Sequence, residues 1–246
     1  MLSLVSQVEQ DLRSISIDSR RKFPEVKEAA ERALLRLRST VDSLPTEAPA
    51  AQQAASVAEA EEVLLPFLMA LATRSDTLPG LALTGVQRMI SHNALAPQRL
   101  PAVVSQLIAR AQLPTADEGS LLKVLQTVLT IASSPALLHA DRTVAQMLLL
   151  CLTLQQSRST TLKNTASATV QQFIALLLDV VAQEPERGGL GSTPSATDAG
   201  STTADGAESS HSVTKPELSE LSVVARCAFL SMQAVGLPPP RILQSQ

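Results

Sequence analysis

Apolar residues recur along this chain at three- and four-residue steps, the spacing of helices buried along one face. Leu162, Ala166, Val170, Phe173, Leu177 and Val181 form one such stripe. Read in this way, the pattern predicts helices over 2–19, 23–42, 56–73, 78–91, 97–112, 118–134, 140–157, 162–184 and 216–235. Prolines punctuate it. Pro24 suits a first helical turn, and Pro79, Pro97, Pro101, Pro114 and Pro135 fall between helices or at their starts. Asn164 stands where a short polar side chain can cap the first turn of its helix. No useful stretch alternates with the period of two that marks a half-buried strand.

From residue 56 onward the predicted helices start about 20 residues apart, so a helix pair repeats about every 40, the period of armadillo and HEAT arrays. One pair cannot bury its own apolar face, and stacking supplies the core. The expected fold is therefore all-α, an armadillo/HEAT-like α-solenoid of stacked helix pairs over 1–184, with the first two helices as an N-terminal cap or hairpin. Two stretches break the pattern. Residues 45–58 are low in complexity and read as a flexible insertion. Residues 185–215, rich in Gly, Ser, Thr, Ala and Asp, cannot offset their ordering entropy by burial and read as a disordered loop. After it Pro216 opens a final helix over 216–235, expected to pack back on the solenoid, and 236–246 is a tail.

Composition sharpens this reading. Only 2% of the 246 residues are aromatic, with no Trp or Tyr, so Leu, Val, Ile and Ala must build the core. That favours helix-on-helix packing over a sheet. It also leaves little for stacking on single-stranded nucleic acid, and the formal charge of −3 argues against a general nucleic-acid binder. Cys151 and Cys227 are far apart, lie in apolar helical patterns and read as buried free thiols of a reducing compartment. The start lacks the basic region and apolar run of a secretory signal. The strongest apolar run, 145–154, is far short of the roughly 20 residues a membrane span needs.

The chemistry-bearing residues are sparse. There is no Gly-x-Ser-x-Gly nucleophile elbow and no phosphate-binding Gly-x-x-x-x-Gly-Lys-Ser/Thr loop, and Gly188, Gly189 and Gly191 precede no helix. His92, His139 and His211 are too scattered for a metal; the first two follow predicted helix ends, where they suit exposed carbonyls. Glu61-Glu62 and Asp117-Glu118 stand at or near helix starts, where the macrodipole favours carboxylates. Neither an enzyme nor a cofactor is expected.

One charge feature remains: Arg20, Arg21 and Lys22 are consecutive between two helices, with Lys27 one turn into the second. Lys27 with Glu31, and Glu28 with Arg32, can pair four residues apart on a solvated face. The other reading is a site for an anionic phospholipid or an acidic partner built from Arg20, Arg21, Lys22 and Lys27.

Four segments resemble a known family. Leu162-Lys163-Asn164-Thr165-Ala166-Ser167-Ala168-Thr169-Val170-Gln171-Gln172-Phe173 is similar to a signature near the end of the dimerisation and cyclophilin-binding (DCB) domain. That domain is the N-terminal module of the large Arf guanine-nucleotide exchange factors and of their non-catalytic Mon-two-like relatives. Arg20-Arg21-Lys22-Phe23-Pro24-Glu25-Val26 resembles the basic Phe-Pro turn into the second helix of the Mon-two-like group, and the exchange factors lack the Phe-Pro. Pro66-Phe67-Leu68-Met69 followed by Gln87-Arg88-Met89-Ile90 is closer to the same group, and Leu121–Thr130 resembles the Leu-Gln-Thr helix of both. The matches run in order from about residue 10 to 182.

The resemblance implies a non-catalytic scaffold and interaction module of Golgi–endosome vesicle trafficking. It would be cytoplasmic and peripherally associated with trans-Golgi network and endosome membranes. As partners it implies a second copy in a homodimer, a Dopey-type protein and an Arf-like small GTPase, with a phosphoinositide or other anionic phospholipid surface possible and no nucleic acid. The alternative it leaves open is the regulatory N-terminal domain of a catalytic large Arf guanine-nucleotide exchange factor.

Overall fold

The computed structural model describes residues 3–45, 48–134 and 141–183. The chain divides into two compact units, 1–177 and 178–246; of the second, the structure describes only residues 178–183, the last turns of a helix. The expected helix over 216–235, the loop over 185–215, the tail over 236–246, Cys227, His139 and His211 lie outside the described residues.

Every regular element among the described residues is helical. They are α1 (Leu4–Ser19), α2 (Pro24–Asp42), α3 (Ala50–Glu59), α4 (Glu61–Ala72), α5 (Leu78–Ser91), a 3-10 turn (Pro97–Arg99), α6 (Leu100–Gln112), α7 (Glu118–Ala132), α8 (Asp141–Gln155) and α9 (Thr160–Gln183). The first unit is a two-layer α-solenoid. One layer runs α1, α5, α7 and the other α2, α4, α6, α8, so the pairs α1–α2, α4–α5 and α6–α7 each send one member to each layer. Val8, Leu12 and Ile15 of α1, Leu83 and Val86 of α5, and Val124 and Val128 of α7 are fully buried between them. Phe67 and Phe173 are the largest wholly buried side chains.

The helix ends follow local chemistry. Ser3 caps α1 by accepting from Ser6 N at 3.3 Å, and Asp117 caps α7 by accepting from Ser120 N at 2.8 Å. Glu61 and Glu62 lie in the first turn of α4 and Glu118 in that of α7, where the partial positive charge of the helix end stabilises them. Asn93 takes a left-handed φ of 54° after α5, and Ala94 N reaches back to Met89 O at 2.8 Å, a Schellman ending. His92 is the exposed C-cap before it.

Three expectations change. The stretch 45–58, expected as a flexible insertion, contains α3, and α3 packs on α1 and α2 through the buried Ala54 and Val57. Alanine is the best helix former, so a low-complexity Ala-Gln-Ser segment with two small apolar residues three apart still folds onto a neighbour. The single helix expected over 56–73 is broken at Ala60, whose ψ of 83° separates α3 from α4. Asn164, expected as a cap, lies inside α9. Ser159 does the capping, its Oγ accepting from Leu162 N at 3.2 Å.

Polar side chains pin the layer of α1, α5 and α7. Gln87 Nε2 donates to Thr127 Oγ1 at 2.9 Å and Lys123 O at 3.3 Å, tying α5 to α7. Arg88 donates to Asp11 Oδ2 and, at 3.3 Å, to Gln7 O, tying α5 to α1. Burial holds the Asp11 carboxyl above its ordinary range, opposed by the hydrogen bond and charge of Arg88. A raised folded-state pKa favours the protonated acid, so this group's contribution to stability is fully present below the unfolded pKa. It is lost as pH rises through the folded one. Arg88→Met removes the opposing influences and should raise the Asp11 pKa further. The variant should be about 1–3 kcal/mol less stable than the parent at neutral pH. That gap should narrow as pH falls through the carboxylate range, as urea titrations of both proteins at a series of pH values would read.

Candidate functional site: the basic turn and its cleft

The turn between α1 and α2 is tight. Arg20 N donates to Ile17 O at 3.3 Å and Phe23 N to Ser19 O at 2.9 Å, Ser19 is wholly buried, and Pro24 supplies the first residue of α2. Because the backbone closes on itself here, Arg20, Arg21 and Lys22 all point their side chains outward and are exposed.

A second loop, residues 73–77 between α4 and α5, faces this turn. The two loops enclose a cleft of about 500 Å³, lined from the first by Ile17, Asp18, Arg20, Arg21, Lys22 and Phe23 and from the second by Arg74 through Thr77. None of the four cations, Arg20, Arg21, Lys22 and Arg74, has an ion pair or a side-chain hydrogen bond among the described residues. With Asp18 and Asp76 on the same walls, the formal charge of the cleft is four minus two, or +2.

Several basic residues elsewhere are engaged. Arg13 and Arg38 share Glu9 at 2.8 and 2.9 Å, Arg88 holds Asp11, and Arg99 holds Glu61. Lys27, grouped with the basic turn from its sequence position, is absent from the cleft and pairs with Glu31 at 3.4 Å along α2. The structure therefore brings together Arg20, Arg21 and Lys22, leaves Lys27 aside and adds Arg74. Sequence gave no cue to Arg74 because it lies 52 positions beyond Lys22, in a different interhelical joint.

The second wall is fixed from behind. Arg110 of α6 is 2% exposed and donates from Nη1 to Thr73 O at 3.1 Å, from Nε to Ser120 Oγ at 3.1 Å and from Nη2 to Asp117 Oδ1 at 3.3 Å. It thereby joins the end of α4, where the cleft loop begins, to the end of α6 and the start of α7. Ser75 Oγ accepts from Thr77 N at 3.3 Å and Leu78 N at 3.4 Å and closes the loop onto α5. Both walls are pre-formed.

Other chemistry is sparse. Cys151 is buried, with its thiol pushed up to about 12 by desolvation, so it stays protonated and inert at neutral pH. Among the described residues no cluster of His, Cys, Asp and Glu could hold a metal ion, and no helix is long and apolar enough to cross a membrane.

Comparison with known proteins accounts for most of the chain. Residues 1–185 match the family model described as "Mon2/Sec7/BIG1-like, dimerisation and cyclophilin-binding domain". The human Protein MON2 homolog is 32% identical over 186 residues, covering 75% of this chain and 10% of the human protein. The Xenopus laevis Protein MON2 homolog is 29% identical over 184 residues, again 75% of this chain and 10% of the relative. Monensin-resistant homolog 2 of Caenorhabditis elegans is 32% identical over 183 residues, 74% of this chain and 11% of the relative. The chain thus spans about a tenth of the length of these relatives.

Proposed function

Because the chain belongs to the dimerisation and cyclophilin-binding domain family of Mon2/Sec7/BIG1-like proteins, we propose that it is a non-catalytic interaction module of a vesicle-trafficking scaffold. In this reading it works at Golgi and endosome membranes, contributing self-association and recruitment. The family match carries the reading, and the MON2 relatives favour the scaffold over the regulatory domain of a catalytic exchange factor. A solenoid suits the task, since its extended faces bind other macromolecules without a reaction centre.

Self-association is supported by the family's description and by exposed apolar side chains. Leu35, Leu65 and Leu149 are 67%, 47% and 66% exposed, and all three belong to the layer of α2, α4, α6 and α8. Leu35 and Leu65 stand on neighbouring helices, while α6 lies between them and Leu149; exposed leucines along one layer are a reason to look for a partner surface. An Arf-like small GTPase and a Dopey-type protein are the further partners this reading assigns to the scaffold. Membrane contact falls to Arg20, Arg21 and Lys22. Each basic side chain at an anionic surface contributes about 1 kcal/mol, so three give weak binding for one copy and useful binding for two acting together.

The test combines sedimentation with vesicle binding. The chain should show reversible dimerisation by high micromolar concentration and should co-sediment with anionic vesicles in a salt-sensitive way. Charge reversal of Arg20, Arg21 and Lys22 to Glu should abolish co-sedimentation with little change in melting temperature. A chain that stays monomeric and ignores anionic vesicles would refute the recruitment role.

A further inference from the structure

The basic turn forms only one side of the cleft, and the other side changes what it can recognise. A flat cluster of cations attracts any anionic surface in proportion to charge. Here four cations without an ion pair among the described residues line one half-open space from two loops. That space, about 500 Å³, has room for a small ligand held between the two loops with one side open to solvent.

We propose that this cleft binds a phosphorylated inositol headgroup, and that Arg74 converts general attraction to anionic surfaces into recognition of that headgroup. The inference rests on the reading that the basic turn faces a membrane.

Three observations lead to this ligand class. Guanidinium groups from Arg20, Arg21 and Arg74 can each take two oxygens of one phosphate, while Lys22 adds a point charge. Asp18 and Asp76 on the same walls would repel a bare phosphate, but their carboxylates accept hydrogen bonds from ring hydroxyls. A headgroup with several phosphates and free hydroxyls serves both kinds of lining; a serine headgroup offers its ammonium to the carboxylates but brings only one phosphate and one carboxylate to four cations. At the lip stands Ile17, an aliphatic side chain 71% exposed, placed to enter the acyl boundary of a bilayer when the headgroup is seated. The Arg110 bond to Thr73 O fixes the backbone next to Arg74, so the second wall needs no ordering on binding.

The phosphate can come from a lipid or from a soluble inositol phosphate, and the experiment separates the two. The full chain would be presented with vesicles carrying either a bis-phosphorylated phosphoinositide or phosphatidylserine, matched in total charge, and with the free inositol trisphosphate headgroup in a calorimeter. The expected result is a preference for the phosphoinositide vesicles that Arg74→Gln reduces about ten-fold. Arg36→Gln removes the same charge from an exposed and unpaired position outside the cleft, and should leave the preference intact.

Ile17→Ser assigns the source. Loss of vesicle binding with unchanged binding of free headgroup places the ligand in the bilayer, and equal binding of both by the parent and the variant assigns it to a soluble phosphate. Equal binding of the two vesicle types by the parent, or identical losses in Arg74→Gln and Arg36→Gln, overturns the proposal. If charge reversal of the basic turn still abolishes binding in that case, the membrane role stands and only the headgroup recognition fails.

Discussion

Arg110→Met should lower the stability of the folded chain by about 2–4 kcal/mol, among the largest effects expected of any single substitution here. The side chain is 2% exposed, and methionine replaces its aliphatic stem but stops short of the guanidinium, leaving a small void there. What is lost is three donors at once. Thr73 O and the buried Ser120 Oγ are left without this partner, and neither can turn to bulk water. Asp117 matters less: its side chain is about half exposed and still caps Ser120 N, so its ion pair with Arg110 is discounted for solvent screening. Lysine should not rescue the variant, because one ammonium cannot reach three acceptors that a planar fork serves. Denaturant unfolding of parent, Arg110→Met and Arg110→Lys would check this. A loss below about 0.5 kcal/mol, the range of ordinary surface changes, would show that the network is not holding the helix ends together.

Gly85→Ala should cost about 1–3 kcal/mol although alanine is the better helix former. A Cβ at Gly85 would overlap Phe67 Cε1 and stand 2.9 Å from Cδ1. Phe67 is wholly buried between α4 and its neighbours and has no room to turn aside. The added methyl group must then push α5 off α4, and the overpacking strain outweighs the gain of about 1 kcal/mol in propensity. A double-mutant cycle with Phe67→Leu would isolate the contact. Shortening the ring side chain is destabilising in the parent, yet in the Gly85→Ala background it should recover stability, giving a coupling of about 1–2 kcal/mol. Additive effects would mean that the methyl group is accommodated elsewhere.

The helices were largely legible because their signal is local. The start of α5 at Leu78 and of α7 at Glu118 follows from periodicity, prolines and capping chemistry alone. The segment α3 was not legible, since its composition imitates a linker and its burial depends on α1 and α2. The site divides the same way. Arg20, Arg21 and Lys22 stand together in sequence and announce themselves. Lys27 follows the alternative weighed for it, a solvated pair with Glu31. Arg74 joins them only because the stacking of pairs brings two interhelical joints to the same place, and that is a property of the array rather than of any segment. Two family-like segments also gained a physical reason: Gln87 and Thr127 belong to different motifs and meet in one hydrogen bond.

The bond from Arg88 on α5 to Asp11 on α1 closes a loop of 77 residues. That span has a consequence for how the chain is made. The buried face of α1, with Val8, Leu12 and Ile15, is covered in part by a helix that does not exist when α1 leaves the ribosome. At about 5–20 residues per second, roughly 4–14 s pass between synthesis of Ser19 and of Ser91. During that interval the α1–α2 hairpin carries an apolar seam that only α3 and α4 can begin to cover. Slowing translation between α2 and α5 would lengthen that exposure.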